Sequence, residues 1–295
     1  MGTLYIIGNG FDLHFNLKTK TEHFIEHLKK QSVYNEVGNA LDVLNCYGVD
    51  WCEYEQSLND IDLDEIELQN EIQPDYMSDR ESGRDGGILN MQMYVDSLSR
   101  AINLALAQMV NVANNDVREL SLKLPKRHLF ENGDAILSFN YTSTIEYLFF
   151  IPMDVPVFHI HGFYEYGEPL IFGYRNNKNS FTNAWPSVKE DNWDFYIAQQ
   201  RETVYKFYDS WKKHLRINEL RFFLSQCDCI DRVVVLGHSM SAVDFEYMEE
   251  VEHAFRPSFW DISYYNTYDI KRVQSQPYSF HNKMRFIPMN KLLER

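Results

Sequence analysis

The chain has 295 residues, 44% of them apolar and 15% aromatic, and a formal charge of −15. That is enough apolar material for one large α/β domain or two small ones, and the negative field argues against a broad nucleic-acid or anionic-membrane surface. No apolar run approaches the roughly 20 residues of a membrane span, and the N-terminus opens into a strand rather than a cleavable leader, so a cytoplasmic protein is expected.

Leu4-Tyr5-Ile6-Ile7 reads as a buried strand that runs into Gly8-Asn9-Gly10-Phe11-Asp12 and then a helix. Two glycines one residue apart after a strand make either a simple tight turn or a loop that brings backbone N–H groups to a phosphate; Leu13 stands where a third glycine would complete the dinucleotide fingerprint. From Leu17 to Lys30, Phe24, Ile25 and Leu28 share one side, which predicts an amphipathic helix capped at Thr19 or Thr21. Residues 50–85 are strongly acidic and carry Pro74, Gly83, Gly86 and Gly87 at or near their end, the composition of a solvated, disorder-leaning linker. The Asp60, Asp62, Asp64 spacing allows a calcium loop, but no glycine follows at the sixth position.

From Ile88, the residues Met91, Val95, Leu98, Ile102, Leu106, Met109 and Ala113 form one long helical stripe. Two strands follow, Ala135 to Phe139 and Val157 to Ile160, ending at Asn140-Tyr141-Thr142 and His161-Gly162; His159 within the second is read as structural. Gly173 to Asn179 is read as loop and Trp193 to Leu224 as one or two helices. Arg232 to Leu236 is the clearest buried strand and enters Gly237-His238-Ser239-Met240-Ser241 before a helix containing Asp244. Trp260 to Tyr265 and Met284 to Ile287 supply two more strands. This alternation predicts an α/β fold with a Rossmann-like, mostly parallel sheet: one domain over 1–295 with a large helical insertion across about 20–125. The two glycine turns should then lie side by side at the C-terminal edge of the sheet. The four cysteines, Cys46, Cys52, Cys227 and Cys229, form no C-x-x-C pair, and no metal is expected.

The Gly8 to Leu13 turn, Asn16-Leu17-Lys18-Thr19, the Trp51 to Leu58 segment, Ser138-Phe139-Asn140-Tyr141-Thr142, His161-Gly162 and Gly237 to Asp244 together resemble, in that order, the AbiH-type bacteriophage abortive-infection family. That family is in turn similar to sirtuins and sirtuin-like NADases. The resemblance implies a sirtuin-like sheet, antiviral defence, and NAD as the substrate of a glycohydrolase that cleaves the nicotinamide–ribose bond. It implies Asn140 and His161 as catalytic residues, with nucleotide contacts from Gly8, Asn9, Gly10, Phe11, Asp12, Gly237, Ser239 and Asp244. It leaves room for a phage-derived trigger or partner protein and for a homo-oligomer.

The residue chemistry is compatible with that reading. Nicotinamide leaves as a neutral molecule, so no acid is needed on the leaving group; the requirement is to stabilise an oxocarbenium-like sugar and to place a nucleophile. Asn140 can hold a water or a ribose hydroxyl, and His161 can take its proton. The chain departs from sirtuins at Thr142, where they carry aspartate, at Asp12, where they have no acid, and in lacking their zinc cysteines. Hydrolysis of a free nucleotide is therefore expected rather than protein deacetylation. Two alternatives stand beside it: a serine hydrolase built on the Gly237-His238-Ser239 elbow with Asp261 or Asp269 and His281, and a nucleotide-binding sensor without turnover.

Overall fold

The computed structural model describes residues 2–31, 51–58, 63, 66, 71–175 and 194–294. Among them the chain divides into two compact units, one of 1–23, 107–171 and 214–295, the other of 24–106 and 172–213. The single-domain expectation placed one insertion at about 20–125; the second unit also takes in 172–213, and residues 107–123 of the long helix belong to the first.

The first unit is built on six parallel strands: β1 (Gly2–Ile7), β3 (Ala135–Ser138), β5 (Val157–His159), β6 (Ile230–Leu236), β7 (Phe259–Tyr264) and β8 (Met284–Pro288). A separate parallel pair, β2 (Arg127–His128) with β4 (Phe149–Phe150), was not foreseen; two-residue strands leave no periodic signal. The six-stranded order is β5-β3-β1-β6-β7-β8, and every neighbouring pair is parallel. Counted along the chain, that is 3-2-1-4-5-6, the doubly wound Rossmann order, whose direction reverses between β1 and β6.

Strand alternation sends two sets of side chains to two cores. Leu4, Ile6, Leu137, Val233, Val235 and Ile262 pack with Leu220, Phe223 and Leu224 of α7 (Ile217–Ser225) and with Tyr247, Met248 and Val251 of α8 (Phe245–Phe255). Tyr5, Ile7, Ile136, Val234 and Leu236 pack on the other face with Phe11 of α1 (Asn9–His14), Ala113 and Val117 of α4 (Glu81–Lys123), and Ile145 and Leu148 of α5 (Thr144–Leu148). Both faces are covered, which is why these strands read as unbroken apolar runs rather than alternating ones. Burying each such side chain contributes roughly 1.5–3 kcal/mol. The remaining helices of this unit are α9 (Thr267–Ser275) and α10 (Met289–Leu293).

In the second unit, Phe24 of α2 (Thr21–Lys29) packs with Trp51 and Tyr54 of α3 (Trp51–Ser57) and with Phe172. Glu55 pairs with the buried Lys213 at 3.2 Å and accepts the Gly173 N–H. One described part of 50–85 departs from the linker expectation: α4 begins at Glu81 and runs through Gly86 and Gly87, whereas the helix at Trp51–Ser57 agrees with the family's Trp-centred helix that the resemblance implies there. Packing reverses the glycine signal in α4. The Gln200 amide of α6 (Phe195–Ser210) clasps the Ile72 backbone, donating at 2.8 Å and accepting at 3.0 Å, and it sits against the space a side chain at residue 87 would fill. The Asp60, Asp62, Asp64 candidate lies outside the described residues, as does most of the expected loop after Gly173.

Candidate functional site

The site is built where β1 and β6 end side by side. Gly8 donates its N–H to Leu236 O at 2.9 Å, and Gly10 donates to Gly237 O at 2.8 Å, so the two glycine turns are stitched together by backbone alone. A Cβ on Gly8 would stand 2.5 Å from His238 Cα. Gly237 has φ +68°, and a Cβ there would stand 2.1 Å from Phe11 N. Close approach of two backbones therefore accounts for glycine at these positions. Of the predicted nucleotide-contacting residues, Asn9, Gly10, Gly237 and Ser239 remain partly exposed, whereas Gly8, Phe11, Asp12 and Asp244 are buried.

Asn140, two residues past β3, donates Nδ2–H to Gly8 O at 3.1 Å and its backbone N–H to Ser138 Oγ at 3.2 Å. That ties the third strand end to the first turn. Asp12 then anchors the following loop, its carboxylate accepting from Thr142 Oγ1 at 2.7 Å and Thr144 Oγ1 at 2.6 Å. Burial pushes the Asp12 carboxyl up to about 6, against the opposing pull of hydrogen bonds from Thr144, Thr142 and Asn140. Thr142, flagged as a departure from sirtuins, is thus one of the hydroxyls that hold Asp12.

His161 and His238 converge on one carboxylate. Asp244 is the N-cap residue of α8, yet its side chain makes no capping bond; Oδ1 lies 3.3 Å from His161 Nε2 and Oδ2 lies 3.4 Å from His238 Nε2. The Met240 N–H donates to His238 Nδ1 at 3.0 Å, so that nitrogen carries the lone pair and Nε2 carries the proton facing Asp244. The Phe139 ring packs against both imidazoles, with centroids 5.0 Å from His161 and 4.2 Å from His238. Asn140, His161, His238 and Asp244 are all buried, at 5–8% exposure. The wrapping of these turns around Phe139 encloses the strand-end side chains.

Both ring nitrogens of His159 face groups within the protein: Nδ1 is 3.0 Å from Asn140 O and Nε2 is 2.9 Å from Glu146 Oε1. The serine-hydrolase alternative has no assembled relay. Asp261 is held by Arg232 and Arg285, the latter at 2.6 Å, Asp269 closes the capping box of α9, and His281 Nε2 lies 2.6 Å from Gln276 O. No group of three His, Cys, Asp or Glu among the described residues could hold a metal ion.

Sequence reasoning missed His238 and Thr144. A signal existed for His238, since it occupies a turn already singled out; no local pattern marks Thr144, whose partner is 132 residues away. The pairing of Asp244 with histidines was also hidden, because a carboxylate at a helix start reads equally well as a cap.

Among the described residues, no helix is long and apolar enough to cross a membrane. A search of curated proteins found no match. The family model described as bacteriophage abortive infection AbiH matches residues 4–264, a span that includes the two glycine turns, Asn140, His161 and Asp244. With a parallel Rossmann-order sheet and this match over most of its length, the chain belongs to the bacteriophage abortive infection AbiH family.

Proposed function

We propose that the protein serves antiphage defence by hydrolysing NAD at the nicotinamide–ribose bond. The observation that carries this reading is the convergence of Asn140, His161 and Asp244 beside the point where the sheet order reverses, the place at which open α/β sheets bind nucleotides. The partly exposed Asn9, Gly10, Gly237 and Ser239 are the contacts for phosphate and ribose.

His161 Nε2 lies 3.3 Å from Asp244 Oδ1, so the carboxylate stands beside a ring that takes a proton from water or a ribose hydroxyl. Asp244 then stabilises the imidazolium, as a carboxylate behind a catalytic histidine does. His238, fixed by Met240, holds the other oxygen of Asp244 in place. Asn140 orients the water or sugar hydroxyl. Burial of this group keeps bulk water from screening the charge that develops on the sugar.

The test is to incubate the purified chain with NAD, with and without phage lysate, and to quantify free nicotinamide. Release by the wild type and its loss in His161→Ala supports the reading. Saturable NAD binding with no nicotinamide release under either condition would make the protein a sensor instead.

A further inference from the structure

We propose that Asn114 is a positioning residue that clamps the loop carrying Asn140 to the loop carrying His161, acting through Ser143 and Glu165. The proposal deepens the NAD-cleavage reading, from which it takes the roles of Asn140 and His161; the clamp itself is argued from geometry.

Asn114 shares one face of α4 with the buried Val110, Ala113 and Val117, whereas Asn111 and Asn115 are exposed. An amide at such a place is a poor helix former and is costly to bury unless both its ends are paired. Here both are paired: Oδ1 accepts the Ser143 N–H at 2.9 Å, and Nδ2–H donates to Glu165 Oε1 at 3.2 Å. A side chain that donates on one side and accepts on the other is what these two partners require, since a backbone N–H only donates and a carboxylate only accepts. An apolar residue would fill the same space and join neither.

Each partner stands a few residues beyond a proposed catalytic side chain. Ser143 follows Asn140 by three residues and is the N-cap of α5, yet its hydroxyl makes no capping bond; it donates instead to Glu165 Oε1 at 3.1 Å. Glu165 follows His161 by four residues, in a 3-10 turn at Tyr164–Tyr166, and the same Oε1 accepts from Arg118 Nη2 at 2.6 Å. Asn114 and Ser143 are each 1% exposed, so their bonds are shielded from water; Arg118 lies nearer the surface, where an ion pair adds little.

The loop past β5 closes on itself directly after His161. The Ile171 N–H donates to His161 O at 2.8 Å, and a Cβ on Gly162, at φ +91°, would stand 2.3 Å from Pro169 O. A loop closed at its base moves as a unit, so holding Glu165 holds the His161 backbone. Tyr141 adds to the link between the loops, donating from its hydroxyl to Ile171 O at 2.6 Å and accepting the Tyr164 N–H at 3.3 Å.

The consequence is mechanical. Asn140 and His161 address the same water or sugar hydroxyl, and a displacement of about 1 Å between such groups costs on the order of a hundredfold in rate. The glycine turns that contact phosphate and ribose lie on β1 and β6, outside the clamp, so its loss moves kcat more than KM.

The experiment uses the full chain without NAD: hydrogen exchange read by mass spectrometry on peptides covering 138–146 and 160–172, with melting curves, in wild type, Glu165→Leu, Glu165→Gln and Asn114→Leu. Glutamine keeps an Oε1 that accepts the same three bonds, whereas leucine accepts none. Glu165→Leu should therefore speed exchange about tenfold in both peptides, including the one that carries no substitution, and Glu165→Gln should stay near wild type. Asn114→Leu should loosen the same two peptides. With NAD added, kcat should fall about ten- to a hundredfold in Glu165→Leu with KM changed a few-fold at most, and Glu165→Gln should recover it. Wild-type exchange around Ser143 in Glu165→Leu, equal loosening in Glu165→Gln, or an unchanged kcat in Glu165→Leu overturns the proposal. A wild type that leaves NAD intact would end the NAD-cleavage reading, while the exchange, which needs no substrate, still decides the clamp. If Asn114→Leu does not fold, the pair of variants at Glu165, a surface position, decides.

Discussion

Asp12 and Asp244 occupy equivalent places, each buried just beyond a strand and a glycine turn, but their partners differ in kind. Asp12 faces the hydroxyls of Thr142 and Thr144, which donate and do not titrate near neutrality. Asp244 faces the imidazoles of His161 and His238, which can gain or lose protons. The same strand–turn–helix device thus places a carboxylate among hydroxyls at one turn and between two imidazoles at the other. The chemistry of a buried carboxylate is set by the groups that reach it, more than by its place in the fold.

The sharpest way to break that contrast is to remove the groups on the Asp244 side. His161→Ala and Asn140→Ala should each lower NAD cleavage by about a thousandfold, and the double variant should be little worse than either, because both act on one transition state. Nicotinamide release under saturating NAD is the measurement. Since both side chains are buried, circular dichroism melts must accompany the assay; wild-type rates in folded His161→Ala would remove histidine from the mechanism.

The Asp12 side should answer in stability and pH. An acid whose folded-state value is raised from 3.8 to about 6 favours folding while protonated. Its contribution is complete below the unfolded value and is lost as pH rises through about 6. Between about pH 4 and pH 7 the wild type should lose roughly 3 kcal/mol that Asp12→Asn does not lose, read from denaturant titrations at several pH values. Parallel stability curves for the two proteins would show that Asp12 is not the group titrating.

Asp244→Asn should cost roughly ten- to a hundredfold in kcat, the range typical of groups that orient a reacting residue, while leaving the melting temperature within a few degrees. A loss confined to stability would place Asp244 with Asp12 as an anchor and erase the contrast. The smallest effect is expected for Ser239→Ala. This partly exposed turn residue should alter KM for NAD by a few-fold, roughly 1 kcal/mol or less, with turnover kept. Stoichiometric labelling of Ser239 by a fluorophosphonate would instead restore the serine nucleophile, despite the engagement of Asp261, Asp269 and His281 elsewhere.

The sequence by itself determined the strands, their parallel class and the two glycine turns that meet where β1 and β6 end. Runs such as Leu4 to Ile7 and Val233 to Leu236 are apolar at every position because both faces of the sheet are covered, and that pattern is local. The glycine turns were legible for the same reason, since a tight turn imposes its residue type at the turn itself. Tertiary structure alone decided the partners. Thr144 meets Asp12 across 132 residues, and His238 reaches Asp244 because the Met240 N–H fixes its ring, relations that no window along the chain contains. It also decided that the glycines at 86 and 87 lie inside α4, where tight packing against Gln200 outweighed their preference for a break. Long-range hydrogen bonds select among side-chain roles that local composition leaves equivalent, which is why the turns could be read in the sequence and the partners of their side chains could not.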